Sequence, residues 1–229
     1  MIKSIKKEKI YTSLTKPYAV ILVMLFAPLL NYFDRNFSFF FGLGVVFLIL
    51  KTSNYNWTLF GFRKITNKTI LKSLLLSFVL LIVDICIGLV VQNYFGEPNL
   101  TSLEDIKHNT VGFIFTLTVV WTLVAFGEEF LFRGYYLKWL AKFFGNSNIA
   151  WLSSILIISI YFSLSHYYQG ISGIISIFFI SLIISLIYYK NRKNLGLFIL
   201  IHGLIDTYGL TLLYLDIQDP LGELIQQML

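Results

Sequence analysis

The sequence predicts an all-α fold: a polytopic transmembrane bundle of about seven to eight helices with a cytoplasmic N-terminus. Three observations predict it. The 229 residues are 57% hydrophobic and only 13% charged, whereas a soluble domain carries about 45–50% apolar and about 25% charged residues; the mean hydropathy is +0.75. The apolar residues form long runs, and a run such as Ile171–Tyr189 lacks the alternation of a β-barrel strand. Basic and non-basic loops alternate along the whole chain.

The elements follow in order. Residues 1–17 are polar, with five Lys and Glu8 (net +4). The run 18–30 resembles a signal peptide, but Asn31, Tyr32 and Phe33 follow where small residues would mark cleavage, so it reads as a retained helix. Further runs span 37–50, 70–91, 111–137, 149–166, 171–189 and 195–215. The first two are short for a bilayer that takes about 20 residues to cross, so they extend into their flanks or form a tilted hairpin. The fourth continues past Phe132 as an amphipathic stretch to about Phe144.

Between the runs, residues 31–36 are neutral, 51–69 carry +4, 92–110 carry −2, 138–148 carry +2, the link after His166 is neutral, 190–194 carry +3 and the tail from Asp216 carries −3. Basic loops stay cytoplasmic. Seven crossings follow, in a cell membrane, with the C-terminus outside. The chain divides into 1–110 (tail and three helices), 111–215 (core) and 216–229 (tail). The formal charge of +6 reads as membrane orientation and not as nucleic-acid binding. The single cysteine, Cys86, excludes disulfides within the chain and reads as a small buried hydrophobe.

A charged side chain at mid-bilayer costs about 2.5–3.5 kcal/mol on insertion scales, yet ionisable residues interrupt these runs. One cluster holds Glu128, Glu129 and Arg133, a second Phe162 and His166, a third His202 and Asp206; Asp84 stands apart and is expected to face the bundle. At 100° per residue Glu129 and Arg133 share a face and can pair, while Glu128 points elsewhere and has no local partner by spacing. Either Arg133 serves both carboxylates, or Glu128 is a buried carboxylate able to act as a general base. His202 and Asp206 also share a face, and a hydrogen bond that glues two helices would account for them alone. Two histidines and a Glu pair on three apolar helices fit water activation: carboxylate and imidazole deprotonate a water, and a second imidazole stabilises an oxyanion. The same residues fit Zn²⁺ held by Glu128, His166 and His202 with an open position. Both routes lead to peptide hydrolysis.

The patterns E-E-x-x-x-R, F-x-x-x-H and H-x-x-x-N/D, in this order on successive hydrophobic helices, resemble the CPBP intramembrane proteases. These include type II CAAX prenyl endopeptidases, bacterial Abi proteins and bacteriocin-immunity proteins. The resemblance covers about residues 110–215. It implies that Glu128 and His166 activate water, that His202 and Asp206 support the oxyanion, and that Glu129 and Arg133 order the site. It also implies a membrane-associated peptide or protein as substrate. The prenyl-processing members carry Asn where this chain has Asp206, which favours a bacterial-type member. H-E-x-x-H, G-x-S-x-G and G-x-G-D are absent, which disfavours zinc site-2, rhomboid and aspartyl types. A non-catalytic immunity or scaffold protein of the same fold, and a small proton-coupled transporter, are the alternatives. The crossings put His166 near the outer end of its helix, with Glu128 and His202 nearer mid-depth. The motifs therefore meet only if that helix starts later and tilts, or if the link Tyr167–Gly170 is re-entrant.

Overall fold

Local signals cut the apolar sequence into helices. In the computed structural model, which describes residues 2–217, α1 spans Ile2–Leu14 and α2 Pro17–Phe26. Pro17 starts α2 where its missing N–H costs nothing, and the chain winds on as a 3₁₀ turn through Ala27–Tyr32. Helix α3 spans Phe37–Thr52. Helix α4, Asn67–Phe95, is capped by Thr66, whose hydroxyl accepts from the Thr69 N–H at 3.2 Å. The α5 helix, Thr110–Phe143, is capped by Asn109, whose Oδ1 accepts from the Gly112 N–H at 3.0 Å. Then come α6 (Asn148–Ser165), α7 (Gly170–Asn191) and α8 (Leu195–Leu215). No strand occurs among the described residues.

The fold is a polytopic helical bundle. Five helices (α4, α5, α6, the Tyr167–Asn191 segment and α8) are long and apolar enough to cross a membrane. A sixth span exists if Lys7–Leu14 and Pro17–Tyr32, bent by 78°, count as one. Helix α3 has 16 residues, about 24 Å of rise against a hydrocarbon core of about 30 Å. The sequence-predicted seven runs all become helices, and the first two are the short ones. The tail 218–229 and the outside C-terminus lie beyond the described residues.

The chain packs as two compact units, interleaved in sequence. One comprises the chain up to Lys64, Gly127–Ile158 and Ser185–Gly196; the other Ile65–Phe126, Ser159–Ile184 and Leu197 onward. The first unit is built on Phe130, which is fully buried and meets the rings of Phe60 at 4.8 Å, Phe62 at 5.4 Å, Phe47 at 5.5 Å and Trp57 at 5.6 Å. Aromatic burial of this size dominates a core. In the second unit Ile106 and Val120 pack with Leu210 and Leu213 of α8. Phe113 stacks on Tyr214 at 4.7 Å. Lys107 Nζ donates to Asp216 Oδ1 at 2.8 Å, and this holds the Asp216 carboxyl below its usual range.

Cys86 departs from expectation. It is exposed on α4, and in a spanning helix an exposed apolar face is a lipid face. A small sulfur side chain suits that face as well as a core.

Candidate active site

Helix α5 is not a regular α-helix. It widens to a π-helix over Val120–Val124 and again over Glu129–Leu137. Short π segments are common at functional sites because the wider turn re-aims side chains. The winding departs from 3.6 residues per turn, yet the four-residue step still closes: Arg133 Nη1 donates to Glu129 Oε1 at 2.9 Å, with both side chains 1% exposed. The expected ion pair is therefore present and buried. Glu128, half-buried at the start of the π segment, also takes part in a polar interaction. Its lack of a partner by spacing is a property of the helix and not of the folded chain. The π segment is fixed by its own burial: every side chain from Phe130 to Leu137 is buried.

In the second unit, the end of α6 shapes His166. The helix tightens there, so the His166 N–H bonds the Ser163 carbonyl at 3.0 Å. That leaves the Phe162 carbonyl for side chains. His166 Nδ1 lies 2.9 Å from it, and the Ser165 hydroxyl donates to it at 2.6 Å. A carbonyl only accepts, so Nδ1 carries the proton and the neutral ring presents Nε2 as its acceptor. The Phe162 ring lies against the imidazole at 4.8 Å between centroids. The link that follows is a 3₁₀ turn, Tyr167–Gln169, closed by Gly170 at φ 76°, a backbone region that favours glycine. Helix α6 begins at Asn148, no later than expected.

On α8, His202 Nε2 lies 3.4 Å from Asp206 Oδ2, as the spacing predicts. Asp84 of α4 is half-buried and close enough to Asp206 for their charges to interact. It therefore turns toward the protein, as expected.

Two features were missed in the sequence. Trp121 packs its six-membered ring on Gly203, where a Cβ would stand 2.7–2.8 Å from three ring carbons. Its Nε1 donates to Thr207 Oγ1 at 3.1 Å. Gly203 and Thr207 are the residues that follow His202 and Asp206, so Trp121 grips the face beside the His–Asp pair. A glycine directly after His202, with a tryptophan away from the aromatic belts where it usually sits, was the available signal. The second is the aromatic set around Phe130, which steadies the next residue in the chain after Glu129.

Among the described residues no group of three or more His, Cys, Asp or Glu side chains stands so as to hold a metal ion.

Carboxylates, a guanidinium and imidazoles set into spanning helices define a polytopic membrane protein with a polar, hydrolase-like residue set. Residues 110–208 match the family model described as type II CAAX prenyl endopeptidase Rce1-like. That family is one of intramembrane proteases, and the chain is similar to it over this segment, in agreement with the CPBP resemblance. No curated protein and no solved structure matches the chain.

Proposed function

We propose that the chain is an intramembrane endopeptidase that hydrolyses a peptide bond in a membrane-associated peptide or protein, in a bacterial plasma membrane. Glu128 takes a proton from water, and His166 orients that water through Nε2. The hydroxide adds to the carbonyl carbon; the C–N bond then breaks, and Glu128 returns the proton to the leaving amine. His202 turns Nε2 to the Asp206 carboxylate, so Nδ1 is the nitrogen left for the developing oxyanion, and it donates when the ring is the imidazolium. Asp206 orients and charges the ring; it is not itself a donor. Glu129 and Arg133 hold the π segment that directly follows Glu128. Asp206 in place of Asn weakens the case for a prenylated substrate and favours a bacterial-type member.

The observation that carries this reading is the His166 geometry. A core histidine would hydrogen-bond through whichever nitrogen is convenient, whereas here the helix end commits Nδ1 to the Phe162 carbonyl.

Two measurements test it. Peptide release in detergent should be abolished in Glu128→Gln while the protein folds normally, because the amide keeps size and polarity but takes no proton. Cleavage near the wild-type rate would remove Glu128 as the base. In a Glu128→Cys, His166→Cys protein on a Cys86→Ser background, a short bifunctional thiol reagent should bridge the two positions, because side chains that share a water stand too far apart at Cα for a direct disulfide; failure would show that the motifs do not meet.

A further inference from the structure

One group of cations in the first unit has no part in the reaction above. Lys138 and Lys142 lie one turn apart near the end of α5, and Arg192 lies just past α7. Both Lys142 and Arg192 are close enough to Lys138 for mutual repulsion. Among the described residues their hydrogen-bond and ring contacts are to neutral groups. Lys138 Nζ donates to the Leu59 carbonyl at 2.8 Å. Lys142 Nζ stands 4.3 Å from the centre of the Trp139 ring. The Arg192 guanidinium lies 4.7 Å from the Trp151 ring and 5.0 Å from that of Tyr189. Carbonyl and ring faces steer a cation but do not neutralise it. Among the described residues no carboxylate forms an ion pair with these three cations, and positive charges held together are unfavourable unless an anion completes them.

The group is also pre-ordered. The Arg192 carbonyl accepts from the Tyr188 hydroxyl at 3.4 Å, and a Cβ on Gly61 would stand 2.8 Å from it. Three residues on, the Leu195 N–H bonds the Gly61 carbonyl at 2.8 Å. The backbone beneath the guanidinium is thus clamped by a second loop. Trp139 and Trp151 are almost wholly buried, so the rings that hold the cations are fixed too. Ordinary orienting lysines and arginines at a membrane surface need none of this framing. Basic pockets between helix ends at the cytoplasmic face suit anionic lipid head groups, and the tryptophan and tyrosine rings fit the head-group level.

We propose that Lys138, Lys142 and Arg192 form a binding site for the phosphate of an anionic phospholipid head group. The site is independent of the proteolytic reading and would exist in a non-catalytic protein of the same fold.

The test uses the full chain in detergent, with native mass spectrometry and thermal unfolding on adding phosphatidylglycerol, phosphatidylcholine or inorganic phosphate. Phosphatidylglycerol should be retained and raise Tm; the other two should do neither. Arg192→Gln and Lys142→Gln should each weaken phosphatidylglycerol retention by about 5-fold. Lys142 is exposed and makes no hydrogen bond, so its variant is expected to fold even if Arg192→Gln does not. Lys68→Gln removes an exposed charge elsewhere and should leave retention unchanged. Equal losses for Lys68→Gln and Lys142→Gln would show diffuse surface attraction and overturn the site. An equal Tm rise with inorganic phosphate would overturn the lipid assignment.

Discussion

The Glu129–Arg133 pair shows what a buried charge does to its neighbours. Both side chains are out of water, so deleting one removes a buried charge partner of the other. Such losses typically cost about 3–5 kcal/mol. Glu129→Ala and Arg133→Ala should lower Tm and folded yield along with activity, whereas Glu128→Gln should lower activity alone. Thermal unfolding beside cleavage rate separates these patterns; a Glu129→Ala protein of unchanged Tm would mean that the pair does not support the fold. Asp84 poses the opposite case. It is half-buried near Asp206 without being part of the matched motifs, so Asp84→Asn should retain most cleavage. A loss as complete as that of Glu128→Gln would place Asp84 in the chemistry itself.

At the scale of an element, the proposed chemistry depends on the rotation of α8 about its axis. A rotation by one residue carries His202 about 100° round and takes both His202 and Asp206 off their bearing. Trp121 resists that rotation by filling the space that Gly203 leaves and by its hydrogen bond to Thr207. Gly203→Ala should therefore push the helix or the indole aside, with an overpacking cost of about 1–3 kcal/mol and a fall in kcat beyond the loss of folded protein. Trp121→Leu should restore activity to the Gly203→Ala protein by vacating the space. If the double variant is no more active than Gly203→Ala alone, the contact does not position α8. The π winding of α5 belongs to the same scale. It depends on a run of buried rings from Phe130 to Tyr136 against its own unit, and no local propensity rule announces it.

For the whole molecule the open geometric question is topology. Basic loops at 1–17, 138–148 and 190–194 fall in the first unit, and the acidic loop 92–110 in the second. The alternating loop charges predict reporter fusions after Lys64, Lys107, Lys193 and Leu229 that read in, out, in, out. This pattern is the same whether α2 and α3 cross as a pair or stay on one side, because two crossings cancel. A reporter after Arg35 distinguishes them: outside means seven crossings, inside means five. A cytoplasmic reading at Leu229 would remove both schemes.

Hydropathy and loop charge were enough to read the helices, their order and the three polar motifs, because a bilayer imposes one length and one polarity rule on each span. The Glu129–Arg133 and His202–Asp206 pairs were legible for a related reason: each partner lies one helical turn away, so local geometry alone brings them together. The proton on His166 was not legible, since it depends on how the end of α6 tightens and which carbonyl that releases. Nor were the π winding at Glu129, the grip of Trp121 on Gly203, or the exposure of Cys86. Each of these is decided by which side chains from distant parts of the chain compete for the same space, and packing of that kind leaves no period in a sequence.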